Sequence, residues 1–76
     1  DRRIQFINLP DQCEIKIYTI AGDLVNTLAH DNPINGFEDW NLTSAGGQTI
    51  ASGIYLFSVR DSRNGKVQVG RFVVVK

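Results

Sequence analysis

Few residues of this chain could do chemistry, and each stands alone. His30 is the only histidine and Cys13 the only cysteine. One imidazole cannot build a histidine-rich metal cluster, and any Ser/His/Asp arrangement would have to use it. It falls at the end of a strand-like run beside Asp31, where an ordinary exposed imidazole is expected. Cys13 lies on the apolar phase of its run, which suits a small buried hydrophobe better than a nucleophile. Without a second thiol, no internal disulfide can form. Gly46-Gly47 and Gly65 lack the Lys and Ser/Thr that follow a phosphate loop. Asp31, Asn32 and Asn35 gather in one loop, and Asp61 and Asn64 in another. Their spacing fits turn chemistry rather than a calcium loop. Trp40, Tyr18, Phe37 and Tyr55 could line a sugar platform, but Trp40 and Tyr55 sit on core phases, where packing accounts for them. Asn41-Leu42-Thr43 spells a glycosylation acceptor, of consequence only in a eukaryotic secretory pathway. No catalyst, metal site or cofactor is expected, and so no enzyme.

The bulk numbers point the same way. Seventy-six residues make one small domain. A chain of this length buries only about 60–65% of the surface its unfolded form exposes. A packed core and a deep substrate cavity therefore compete for the same residues. Net charge is zero, from 8 basic and 8 acidic side chains, which disfavours a nucleic-acid partner. The distribution is uneven. From Arg60 onward, Arg60, Arg63, Lys66, Arg71 and Lys76 face the single acid Asp61. These charges suit either a solvated hairpin or a basic terminal strand that meets an acidic receptor. No apolar run approaches the ~18 residues of a membrane span, and no signal peptide opens the chain. Asp1-Arg2-Arg3 reads as the start of an excised piece, so an export signal would lie upstream.

The elements that must position these residues are strands and turns throughout. Residues 4–9 read as a short strand stopped by Pro10-Asp11. Residues 13–20 alternate, with Cys13, Ile15 and Ile17 on one side and Glu14, Lys16 and Tyr18 on the other. Ala21-Gly22-Asp23 makes a hairpin turn, and residues 24–29 run back. Residues 30–36 form a loop. Residues 37–42 form a strand, with Trp40, Leu42 and Glu38 on one side. Residues 43–52 connect over the end of a sheet. Gly53 launches a strand over 54–60 with Tyr55, Phe57 and Val59 on a shared face. Asn64-Gly65 marks the next hairpin. In the last strand, 67–75, Val67 and Val69 share one phase and Phe72 and Val74 the other. A bulge at Gly70 would reconcile the two, or both faces would be covered. The expected fold is all-β: a small immunoglobulin-like antiparallel sandwich of six to seven strands, with Ile15, Ile17, Trp40, Tyr55 and Phe57 defining its core.

Several features recur in a recognisable order. "EIKIYTIAGDLVNTL" is followed by "EDWNL", then by "GGQTIASGIYLFSV" and a terminal "GRFVVVK". This pattern resembles the C-terminal sorting domain of type IX secretion cargo and the similar immunoglobulin-like domain of the flagellar hook-capping protein. The resemblance runs from about Cys13 to Lys76. It departs where the family often has Asp and Gly soon after the Trp, since Asn41 and Leu42 follow here.

The resemblance implies a non-catalytic module at the C-terminal end of a larger exported protein. Residues 1–76 would be that single domain, directing its cargo through the outer membrane of a Gram-negative bacterium to the surface or beyond. Implied partners are secretion-machinery proteins at the outer membrane and the upstream cargo domain. The signal would lie in the last strand, Gly70, Arg71, Phe72, Val73, Val74, Val75 and Lys76, with Arg60 and Lys66 as charge contacts. If that strand is at a sheet edge, its backbone could be read by strand addition. The alternatives are a structural accessory or spacer domain, hook-cap assembly included, and a sugar-binding module.

Overall fold

A computed structural model describes residues 4–7, 9–32 and 36–75. Six strands are present among them, and no helix. β1 (Ile4–Phe6) pairs with β4 (Glu38–Trp40) in a two-stranded sheet. β2 (Gln12–Thr19), β3 (Leu24–Asp31), β5 (Gly53–Asp61) and β6 (Val67–Val74) form a second sheet, in the order β3-β2-β5-β6. Every pairing is antiparallel. The fold is the expected small β-sandwich.

The alternation in β2 sets the inner face. Cys13, Ile15 and Ile17 are buried, the last two completely. Tyr55 and Val59 of β5 meet them from the neighbouring strand, with Phe57 half-buried between. Phe6 and Trp40 close the core from the smaller sheet. Of the five residues expected to define the core, four are buried and Phe57 packs against them.

Turn chemistry fixes the hairpins. At the β2–β3 turn, Gly22 takes a φ of 95°, a conformation that side-chain-bearing residues avoid. The amide of Thr19 donates to the Asp23 carbonyl at 2.8 Å, and that of Gly22 to the Thr19 carbonyl at 2.9 Å. Between β5 and β6 the amides of Asp61 and Gly65 close the turn onto the carbonyls of Lys66 and Asp61, each at 2.8 Å.

Four expectations need correction. The first strand spans only residues 4–6, and β4 only 38–40. Leu42 ends the β4 region with a φ of 63°, yet its side chain is buried. Its carbonyl accepts the Ile50 amide at 3.0 Å, so the connection over 43–52 folds against the core. Second, β3 continues through His30 and Asp31, which pair with Cys13 and Gln12. His30 is thus on the inner face and only 3% exposed, not a solvated loop imidazole. Third, β5 and β6 pair without a register shift, so there is no bulge at Gly70. The shift in this sheet falls between β2 and β3, at Ile17/Tyr18. Fourth, the second option for β6, cover on both faces, also fails: Val67 and Val69 are exposed on its outer face. The expected loop residues 33–35 lie outside the described residues.

Candidate functional site: the open edge of β6

β6 lies at the edge of the four-stranded sheet, with β5 on one side and no described strand on the other. Its register with β5 sorts the side chains into two sets, because directly paired residues share a face. Phe72 pairs with Tyr55, Gly70 with Phe57, and Val74 with Gly53. These three point inward. Arg71 pairs with Leu56, and Val73 with Ile54; they point outward with Val67 and Val69.

The inward set holds the strand in place. Phe72 touches rings from both sheets: it stacks on Tyr55 (centroids 5.8 Å apart, planes at 19°) and meets Trp40 edge-on at 5.9 Å. Phe6 and Phe57 lie 6.5 and 6.1 Å away. Val74 is buried. Gly70 lies beneath the Phe57 ring, where a Cβ would come within 2.5 Å of Cζ. The site therefore shares residues with the core.

The outward set is accessible. Val69 and Val73 are 74% and 62% exposed, Val75 lies beyond the ladder and is exposed, and Arg71 stands between the first two in the open. Arg60, also exposed, lies opposite Val67 on one side and Glu14 on the other. Lys66 is exposed in the β5–β6 turn, its amide held by Asn64 Oδ1 at 2.9 Å. The one acid of this hairpin, Asp61, is already engaged. Its Oδ1 accepts the Arg63 amide at 2.9 Å and lies 3.9 Å from Arg63 Nε. Lys76 lies outside the described residues.

Beside β6 is a partly open cavity of about 310 Å³ between β1 and the inner face of β5 and β6. Ile4, Phe6 and Ile7 line one side and Phe57, Gln68 and Phe72 the other. Its lining is mostly apolar, with Gln5 and Gln68 the polar members. The sequence carried no signal for it, since it depends on how the sheets overlap.

The groups that first suggested chemistry lie elsewhere. The Cys13 thiol is pushed above its ordinary range by burial, with the charges of Asp61 and Glu38 adding to the effect. That favours the unreactive thiol. His30, paired with Cys13 across the ladder, has Nδ1 3.0 Å from Glu38 Oε1. An ionised carboxylate only accepts, so Nδ1 carries the proton in this bond. The contact ties β3 to β4. Nε2 is buried without a hydrogen-bond partner among the described residues. No group of three or more His, Cys, Asp or Glu among those residues is placed to hold a metal. Trp40 and Tyr55 are core residues rather than a coplanar exposed pair; their polar atoms bond to the Thr43 carbonyl (2.9 Å) and the Ala51 carbonyl (2.8 Å). No helix among the described residues is long and apolar enough to cross a membrane.

No family model matches the chain, and no curated protein matches it. A solved structure does: PorZ, an essential bacterial surface component of the type IX secretion system of Porphyromonas gingivalis. The likeness has a TM-score of 0.76 and 28% sequence identity over 95% of this chain. The chain spans only 9% of PorZ, so it corresponds to one small part of that protein. The fold is thus an immunoglobulin-like one found in type IX secretion.

Proposed function

We propose that this domain is a non-catalytic sorting and anchoring module of type IX secretion, with β6 as the strand that the machinery recognises. One observation carries the reading: β6 combines an open backbone edge with an exposed row of Val69, Arg71 and Val73, while Phe72 and Val74 fix it to the core. A receptor can add a strand to such an edge without unfolding the domain. The likeness to part of a type IX component supports the same setting, an envelope or surface-associated one.

A second reading is a structural accessory domain packed against a neighbour. Its support is the apolar outer face, where Ile54, Val73 and Leu24 are all exposed.

The test is secretion of a reporter fused ahead of the domain, in a bacterium that has the type IX machinery. Export of the intact fusion, with periplasmic retention of a folded Arg71→Glu/Lys76→Glu variant, is the expected result. Retention of the intact, folded fusion would remove the sorting reading and leave the accessory domain. Export of both would keep sorting and move its signal away from these cations.

A further inference from the structure

We infer that the open edge of β6 takes an extended segment of a partner protein in which one acidic side chain is flanked, on the same face, by apolar ones. The inference rests on reading β6 as the recognition strand, and it adds the chemistry of what is recognised.

Three features meet on this edge. The first is the ladder itself, which ends at β6. The second is the outer-face order of Val69, Arg71 and Val73, a cation between two exposed valines. Side chains directly opposite on adjacent antiparallel strands stand about 5 Å apart. An acid opposite Arg71 is therefore within ion-pairing reach, and apolar residues on either side cover the valines. Lys66 adds a second cation at the end of the strand.

The third feature is on the inner face. The cavity between β1 and β6 reaches Gln68 and Phe72. A strand laid along β6 directs every second side chain to this face. Apolar side chains at those positions extend the core over Phe72 towards Ile7 and Phe6. One occupant thus uses the edge, the charge and the cavity together.

Charge also disfavours a second copy of this chain. Pairing β6 antiparallel with itself about its middle would set the two copies of Arg71 opposite or diagonal to one another, and Asp61 is held by Arg63. Like charges across a ladder oppose pairing. An acidic partner strand relieves that repulsion.

The test uses the 76-residue domain and a synthetic peptide, Thr-Val-Leu-Glu-Ile-Val-Thr, beside a counterpart with Lys in place of Glu. Amide hydrogen exchange along β6 and peptide affinity are measured at low ionic strength. The Glu peptide should slow exchange in β6 and bind about tenfold more tightly than the Lys peptide, the scale of a reversed cross-strand charge pair. Arg71→Glu should invert that preference. Replacing the peptide's Leu and Ile by Gly should weaken binding by vacating the cavity. Equal affinity for the two peptides, or no protection of β6 by either, overturns the inference. So does a dimer with β6 protected before any peptide is added, which assigns the edge to a second copy. The sorting reading fails separately: a domain that prefers the Glu peptide but does not export its reporter keeps this inference and loses that one.

Discussion

The ring of Phe57 lies across Gly70 on the neighbouring strand, at a distance that leaves no room for a methyl group: a Cβ at position 70 would fall 2.5 Å from Cζ and 2.7 Å from Cε1. Gly70 is not among the positive-φ glycines, so space, not backbone freedom, is what it supplies. The ring in turn packs edge-on against Phe6 at 5.4 Å, which couples β6 to the smaller sheet through β5.

Gly70→Ala should therefore destabilise the domain by about 1–3 kcal/mol, the usual cost of overpacking. Combined with Phe57→Leu, the effects should be less than additive, because the smaller side chain removes the clash. Urea unfolding of the two single variants and the double measures this. A neutral Gly70→Ala would show that the ring moves aside freely.

Two adjacent residues of β6 should behave oppositely. Phe72→Ala removes a ring that contacts both sheets and should cost about 3–5 kcal/mol. Val73→Ala, on the exposed face, should stay within about 0.5 kcal/mol. Thermal unfolding of the pair decides it. Arg71→Glu should also change stability little, which makes it the cleaner probe of recognition.

Tyr55→Phe should cost about 0.5–1.5 kcal/mol, by removing the hydroxyl that donates to the Ala51 carbonyl at 2.8 Å. The ring stack on Phe72 remains, so the loss should be confined to the connection leading into β5. Hydrogen exchange at residues 50–53 should rise in step with it.

Stability should fall with alkali partly through Cys13. Burial raises its thiol above the ordinary 9.0, so the unfolded chain ionises first as pH rises past that value. The folded state then holds the extra proton, and unfolding becomes easier with each further step in pH. Below 9.0 the contribution is complete. The slope of stability against pH above 9.0 should be shallower in Cys13→Ala than in the parent. Identical slopes would mean the thiol meets solvent in the folded state.

Much of the fold is legible in local sequence. Period-two alternation places Cys13, Ile15 and Ile17 inside, and Tyr55 and Val59 opposite them. Gly22 marks its turn because few other residues tolerate its φ. The candidate site is less legible. Gly70 reads locally as a bulge because the valines of β6 change phase there. In the structure the phase never changes: Val67 and Val69 face solvent, and an apolar residue type alone does not reveal which face of a strand is covered. His30 misleads for a related reason. Asp31, Asn32 and the Pro beyond it read as loop, but pairing with β2 carries the strand through His30 and turns the ring inward to Glu38.

By itself, then, the sequence determines an alternation of six to seven short strands, the places where the chain reverses, and a hairpin rich in basic residues near its end. These follow from backbone preferences and side-chain periodicity, which act over a few residues. Only the tertiary structure decides that β6 is an edge, that Gly70 exists to seat Phe57, and that a cavity remains beside Phe72. Strand order and sheet overlap depend on contacts between residues far apart in the chain, where the same alternation fits more than one neighbour.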